Sequence, residues 1–308
     1  MEIIKKLSSL TQKYKNPVVA LGMFDGVHLG HQSVIRRAVE VAKNIGGTSI
    51  VFTFSNHPLT VLAPETAPLM IGSRSLRREI VESLGVEVLI EIPFTKELSK
   101  KTPEEFLNLL QEKISPAYVV TGQNFTFGRY GKGTGRMLLR EGENYGFKAE
   151  ICTTVTVGKK NVSSTRIRAL IAEGDLISAN ELLGRNFTYV ATVVNGDKRG
   201  RKLGFPTANL EIEDSRAMLP NGVYIVRVKV ENDFYDGIAN VGDNPTFKVA
   251  KRRLEVFIDN FSGDIYGEEI SVSFLQKIRD EKTFASVEDL KFQLNEDLAT
   301  LRRNYVTV

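Results

Sequence analysis

The chain has 308 residues, 42% of them hydrophobic and 25% charged, with a formal charge of +4 at pH 7. These values fit a folded globular protein with room for two domains and exclude a disordered, collagen-like or strongly basic chain. Apolar runs fall short of the roughly 20 residues of a membrane span, the first residues lack the charged-then-apolar order of a secretory leader, and the single cysteine, Cys152, excludes an intramolecular disulfide framework. The expectation is a cytoplasmic protein without a membrane partner. Basic and acidic residues number 23 and 18 up to Gly184, then 18 and 19 after it, so neither half carries the sustained basic stripe of a nucleic-acid binder. The short cluster Lys198–Lys202 beside a glycine-rich turn serves a bound nucleotide as well as a polymer.

The first half alternates short apolar strands with helical patterns. Strands are predicted at Pro17–Leu21, Ser49–Phe54, Val88–Ile92 and Tyr118–Thr121, and helices at Gln32–Asn44, Ser73–Leu84, Thr102–Ile114 and Arg136–Tyr145. That order predicts an α/β domain with a mostly parallel sheet covered on both faces. The first strand-to-helix crossing holds GMFDGVHLGH, Gly22 to His31, with two of the chain's three histidines. Gly22 and Gly26 permit a tight turn, Gly30 permits close packing, and the free amides of a helix start receive anions. His28 and His31 both face one phosphate if the helix begins near His28. Zinc ligation by three histidines is the competing reading, which a glycine-rich helix start suits less well. Asp25 either caps the turn or positions a nucleotide or magnesium.

Farther along, Asn56-His57-Pro58 follows the second strand, on the side where open α/β sheets bind ligands. The stretch Gly128–Thr134 lacks the Gly-Lys-Ser/Thr ending of a P-loop and reads either as a flexible glycine-rich segment contacting ligand or as a plain mobile loop. Cys152 reads as a small apolar residue in a strand, Ile151–Val155. In Ser163-Ser-Thr-Arg-Ile-Arg168 a serine can accept from free amides, and Arg166 or Arg168 can fork onto phosphate oxygens, with a plain surface role open for Arg168. Helical periodicity runs over Arg166–Ala172 and Leu176–Leu183, and Gly184 reads as a stop, which divides the chain into 1–184 and 185–308.

Beyond Gly184 the rhythm becomes that of antiparallel strands, at Phe187–Val194, Gly222–Val230, Tyr235–Val241, Arg253–Phe257 and Glu269–Phe274. A final helix, Val287–Arg303, carries Leu290, Leu294, Leu298 and Leu301 at helical spacing, suited to covering a barrel opening. Before the barrel's middle strands, Leu203–Leu210 is either a simple turn into a strand or an extended segment with Thr207 and Asn209 on one face, their oxygens completing magnesium coordination. Glu255 is either a solvent-facing strand residue or a carboxylate that accepts a substrate hydroxyl's proton.

The motifs GMFDGVHLGH, Asn56–Pro58, TGQNFTFG from Thr121 to Gly128 and SSTRIR from Ser163 to Arg168 resemble the adenylyltransferase module of bacterial bifunctional riboflavin kinase/FAD synthetases. GFPTAN from Gly204 to Asn209, LPNGVY from Leu219 to Tyr224, and the Glu255–Gly267 block with Asp259, Asp264, Tyr266 and Gly267 resemble the riboflavin kinase module. The resemblance implies an α/β nucleotidyltransferase-like domain followed by a small antiparallel β-barrel kinase domain with a C-terminal helix. It implies phosphorylation of riboflavin by ATP to FMN and ADP, then adenylylation of FMN by ATP to FAD and pyrophosphate, with Mg2+ as cofactor. Flavins and ATP are the implied partners, with no nucleic acid, in a monomer or weak homo-oligomer. Carried over residue by residue, it implies catalytic roles for His28, His31 and Glu255. The implied binding residues are Gly22, Phe24, Asp25, Gly30, Asn56, His57, Pro58, Asn124, Phe127, Ser163, Ser164, Thr165, Arg166 and Arg168 in the first half. In the second half they are Gly204, Pro206, Thr207, Asn209 and Arg279, with Thr207 and Asn209 also on the metal.

Overall fold

A computed structural model describes residues 1–10, 14–196, 200, 204–244 and 251–305. The basic cluster at 198–202 and part of the turn around it, apart from Gly200, lie outside the described residues. The chain divides into two units, Met1–Met70 with Arg74–Ser164, and Ile71–Ser73 with Thr165–Val308.

The first unit is built on a six-stranded sheet of β1 (Glu2–Ile4), β2 (Val18–Leu21), β3 (Ser49–Phe54), β4 (Val88–Ile92), β5 (Tyr118–Gly122) and β8 (Lys148–Cys152), all parallel, in the order β1-β4-β3-β2-β5-β8. Short pairs complete it, β6 (Thr126–Phe127) with β7 (Gly133–Thr134) and β9 (Thr156–Val157) with β10 (Lys160–Asn161). Its helices are α1 (Leu29–Asn44), α2 (Leu59–Leu62), α3 (Arg74–Ser83), α4 (Lys96–Lys100), α5 (Pro103–Lys113) and α6 (Gly135–Glu141). The strands read as continuous apolar runs because both faces are covered. Val19, Leu21, Ile50, Phe52 and Ile90 pack with Phe106, Leu107 and Leu110 of α5 and Leu138 of α6. The alternate residues Val18, Ala20, Val51 and Leu89 pack with Val34, Ile35 and Ala38 of α1 and Val81 of α3. Each such side chain contributes about 1.5–3 kcal/mol on full burial. From β2 the chain steps outward to β3 and β4, then returns to β5 on the other side of β2. That reversal opens a crevice beyond the C-terminal ends of β2 and β5, where ligands of open α/β sheets bind.

The second unit contains α7 (Ser164–Glu173, from Thr165 onward) and α8 (Leu176–Leu183), then a closed antiparallel barrel. Its strands are β11 (Phe187–Val194), β12 (Thr207–Glu211), β13 (Gly222–Val230), β14 (Asp233–Asn244), β15 (Lys251–Ile258) and β16 (Glu269–Arg279), in the order β11-β12-β15-β14-β13-β16. Pairing of β16 with both β11 and β13 closes it, with register shifts on β13 near Val223 and Ile225. The helix α9 (Val287–Tyr305) sets Leu298 and Leu301 against Val223, Ile225 and Ile238, and its Asp297 and Arg302 pair with Arg279 and Asp259 of the barrel. The apolar stripe read from the sequence therefore faces the barrel.

The fold class matches the expectation, an α/β sheet domain followed by an antiparallel barrel with a trailing helix. Expected Arg136–Tyr145 splits into α6 and a 3-10 turn at Gly142–Tyr145, and the strand expected at Ile151–Val155 is centred earlier, at Lys148–Cys152. Pairing with β5 sets that register, matching Tyr118 with Lys148 and Gly122 with Cys152. The glycine-rich stretch 128–134 forms a 3-10 turn and β7, which pairs with β6, and its Thr134 caps α6. Although the change of rhythm in the sequence falls at Gly184, α8 belongs with the barrel. Asn180 accepts from the Phe187 amide at 2.6 Å and donates to the Phe274 carbonyl at 3.3 Å, fastening the helix to β11 and β16.

At the start of α8, Asp175 accepts from the Ser178 amide at 3.0 Å. Hydrogen bonds from the Ser178 hydroxyl and amide hold its carboxyl below the usual range. A depressed folded value means that this stabilisation is present above the unfolded value and fades as pH falls through the folded one. Asp175→Ala is therefore expected to cost about 1 kcal/mol at neutral pH. Urea unfolding repeated at decreasing pH should show the gap between variant and wild type shrinking below about pH 4.

Candidate active sites

Crossing from β2 to α1 requires an unusual backbone. Phe24, Gly26 and Val27 have φ of 50°, 75° and 37°, and two of these three are not glycine. Such left-handed residues cost about 1–3 kcal/mol each and persist where their surroundings fix them. Here the loop's carbonyls are held from four directions. Thr53 Oγ1 and an Arg77 nitrogen donate to Met23 O at 2.9 and 3.3 Å. Ser164 Oγ donates to Asp25 O at 3.0 Å, and Gln32 Nε2 to Val27 O at 3.0 Å. Gly22 is required by contact, since a Cβ there would stand 2.8 Å from the Phe24 ring.

The turn delivers His28 to the N-cap of α1, where its Nδ1 accepts from the His31 amide at 3.2 Å. With Nδ1 accepting, the proton of neutral His28 resides on Nε2 as a donor. The His28 and His31 rings stack with centroids 3.6 Å apart and planes 17° from parallel, and Phe24 meets His31 edge-on at 5.4 Å. Both imidazoles border a cavity of about 510 Å³ at the crevice between β2 and β5. Gly22, Phe24, Gly30, His57, Pro58, Asn124, Phe127, Ser163 and Ser164 also line it, so much of the expected first-half set converges on one space.

Other expected residues lie elsewhere. Asp25 is buried under the turn and is not among the lining residues. Asn56 spends its amide on the backbone of Phe94, donating to its carbonyl at 3.2 Å and accepting from its N–H at 2.8 Å. Thr165, Arg166 and Arg168 continue along α7 in the second unit, outside this lining. Sequence reasoning missed the aromatic wall of Phe54, Phe94, Phe106 and Phe125, which gives the cavity a large apolar side beside the histidines. These phenylalanines come from separate segments, so no local spacing marks them.

The barrel holds a second cavity, of about 410 Å³, lined by Thr207, Asn209, Glu255 and Arg279 among others. Strand register places Asn209 directly opposite Glu255, and Glu255 directly opposite Asn240 on the next strand. All three border the cavity, so a carboxylate stands between two neutral amides in a row across β12, β15 and β14. Asn240 was not singled out in the sequence, and its place opposite Glu255 is the signal that finds it. Gly196 leaves room for the Asn209 amide, since a Cβ there would lie 2.3 Å from its nitrogen and displace it. Arg279 grips the buried Asp297 of α9, with Nε at 3.1 Å and a terminal nitrogen at 2.7 Å. Gly204 and Pro206 flank the turn into β12 and are not lining residues. Among the described residues, no cluster of three or more histidine, cysteine or acidic side chains is arranged to hold a metal. The barrel cavity offers a cation the neutral side-chain oxygens of Thr207 and Asn209 beside single carboxylates such as Glu255.

A parallel sheet with a histidine-capped helix start at its crevice, and a closed barrel with a carboxylate flanked by amides, give an enzyme-like architecture with one polar cavity in each unit. The comparisons name the family. The FAD synthetase family model matches residues 10–166, and the riboflavin kinase family model matches residues 183–305. The chain is 36% identical to the bifunctional riboflavin kinase/FMN adenylyltransferase of Bacillus subtilis, covering 94% of this chain and 92% of that protein. It is 37% identical to the protein of the same description from Listeria monocytogenes, over 92% and 90% of the two chains. A solved structure titled Macrolide-efflux Protein from Streptococcus pneumoniae matches 98% of both chains at 35% identity with a TM-score of 0.86. The chain belongs to the bifunctional riboflavin kinase/FMN adenylyltransferase family. Among the described residues no helix is long and apolar enough to cross a membrane.

Cys152 also borders the first cavity, at the end of β8. Burial pushes its thiol up to about 11, and the charge of Glu150 adds to the shift. The scarcer thiolate outweighs its greater intrinsic reactivity. Alkylation by iodoacetamide at neutral pH, followed by intact mass, should run about tenfold slower than for a cysteine in an unfolded peptide.

Proposed function

We propose that the chain makes FMN and then FAD at two separate sites, with riboflavin phosphorylated in the barrel within residues 185–308 and FMN adenylylated in the α/β domain within 1–184. Family membership carries the pair of reactions. The presence of a distinct cavity in each unit, one with paired histidines and one with a flanked carboxylate, supports the division.

In the barrel, Glu255 orients the ribityl 5′-hydroxyl and accepts its proton as the oxygen attacks the γ-phosphorus of ATP, and ADP leaves. Asn209 and Asn240, opposite Glu255 on either side, restrict where the hydroxyl and phosphates sit. Thr207 and Asn209 would hold magnesium through neutral oxygens. That set fits a cation that keeps most of its water and takes its charged ligands from substrate phosphates. When bound, magnesium neutralises charge on the transferring group. Arg279 acts on this site by tying α9 to the barrel.

In the α/β domain, the FMN phosphate attacks the α-phosphorus of ATP in line, the bond to the bridging oxygen breaks, and pyrophosphate departs. His28, His31 and the first amides of α1 donate to the oxygens on which charge accumulates. Ser163 and Ser164 border the same space, and the aromatic wall accepts the flat isoalloxazine ring. Arg166 and Arg168 supply further phosphate contacts on this reading.

Incubation with riboflavin and MgATP, with FMN, FAD, ADP and pyrophosphate separated over time, tests the assignment. Removing one preorganised donor costs about 10²–10³ in rate. His28→Ala should lose FAD formation to that extent and keep FMN formation, whereas Glu255→Gln should lose FMN formation and still convert supplied FMN into FAD. FMN accumulating without FAD in the wild type would remove the adenylyl-transfer half. Loss of both activities in folded Glu255→Gln protein would remove the two-site division.

A further inference from the structure

We propose that Arg77 is a positioning residue for adenylyl transfer, joining the turn that leads into His28 and His31 to the segment that leads into His57 through one buried guanidinium. The inference rests on assigning that reaction to the first cavity. Arg77 lies on α3 and does not line the cavity. Its side chain is 5% exposed, and one terminal nitrogen meets Glu91 of β4, whose side chain is fully buried, at 2.5 Å. The same nitrogen donates to Phe54 O at 2.9 Å, and the other terminal nitrogen donates to Met23 O at 3.3 Å. Phe54 ends β3 just before Ser55-Asn56-His57-Pro58, and Met23 opens the left-handed turn before His28. Arg78 takes the second oxygen of Glu91 through Nε at 2.9 Å and a terminal nitrogen.

The chemistry explains why arginine stands here. A planar fork can serve a carboxylate and two carbonyls at fixed angles, which a point-charged lysine cannot. A buried Glu91 alone would be a costly charge, so two arginines make its position in the sheet tolerable and hold the fork in one orientation. With the fork fixed, Met23 O and Phe54 O are fixed relative to each other. Thr53, itself buried, donates to Met23 O from β3 and works in the same direction. The strained run at Phe24–Val27 therefore starts from a clamped carbonyl, and the position of His28 follows from it.

Steady-state kinetics of the full chain test this, with riboflavin phosphorylation by the same molecules as the internal control. Arg77→Lys keeps the charge and loses the fork. It should lower kcat for FAD formation about 10- to 100-fold, the range expected when catalytic groups are displaced by a fraction of an ångström to one ångström. KM for FMN should stay within about threefold, since Phe94, Phe106 and Phe125 of the aromatic wall take no part in the Arg77 network, and FMN formation should be unchanged. Thr53→Val removes the other donor to Met23 O without disturbing the ion pair, and should lower the same kcat by a smaller factor. This second variant keeps the test decisive if Arg77→Lys does not fold. Wild-type kcat for FAD in folded Arg77→Lys, or in Thr53→Val if the former does not fold, would overturn the proposal, as would an equal loss of both activities. A wild-type chain that forms no FAD from FMN and ATP would overturn it together with the reading it rests on, which separates the two failures.

Discussion

The first unit depends on a stretch of backbone that would not hold its shape alone. Between β2 and α1 the chain must turn sharply enough for His28 to end the turn and begin the helix. It does so with Phe24 and Val27 at φ of 50° and 37° on either side of Gly26. Burial of Phe24 and Val27 in the core, at 1% and 0% exposure, contributes the packing that offsets this strain. The carbonyl anchors from Thr53, Arg77, Gln32 and Ser164 then leave one conformation available. His28 caps the helix through Nδ1, so the ring's orientation is fixed by the same hydrogen bond that starts α1. Fold and site are here one constraint: loosening the turn would disorder the helix start and the histidines together.

The barrel reaches preorganisation by a different route. Its row of Asn209, Glu255 and Asn240 needs no strained residue, because antiparallel register places side chains on neighbouring strands opposite one another. What it needs is closure, since an open sheet would let the strands slip and carry Glu255 to the other face. Pairing of β16 with both β11 and β13 supplies that closure, and α9 covers the cavity with Leu290 and Leu294 while anchoring through Asp297 and Arg302. Arg279 shows how one side chain serves both ends: it borders the cavity, yet its charge is spent on Asp297.

Local pattern made much of this legible. The core strands of the parallel sheet are short apolar runs, and the α9 leucines recur at helical spacing, so both were readable before any coordinates. The strand Glu2–Ile4 was not, because three residues at a sheet edge leave no period to detect. The strand Thr207–Glu211 was legible as extended chain after the Gly204-Phe-Pro206 turn, whereas its place between β11 and β15 was not. In the site, His28, His31, Thr207, Asn209 and Glu255 stood out as polar groups in telling surroundings. Phe54, Phe94 and Phe106 did not, since apolar residues on strands and helices look like core wherever they point. Glu91 sits inside Val88–Ile92 and reads as an anomaly in an apolar strand; only the fold brings Arg77 to it. Asn56 shows the opposite case, a residue conspicuous beside His57 whose amide is consumed by the backbone of Phe94.

The unlike contents of the two cavities follow from the nucleophiles assigned to them. A sugar hydroxyl is a poor nucleophile until its proton is taken up, so the proposed phosphorylating site needs a base, and Glu255, a carboxylate between two neutral amides, is the residue proposed for it. A phosphate monoester already carries negative charge at neutral pH and needs no base. It needs its charge and that of the triphosphate balanced as the two approach, which calls for donors. The first cavity offers donors, in two imidazoles and the amides at the start of α1. A carboxylate there would repel both reactants, and the acidic residue nearest in sequence, Asp25, is turned under the loop and out of the lining. On the proposed division, the product of the first reaction differs from its substrate by an anionic group, which a helix N-terminus and paired histidines are suited to receive.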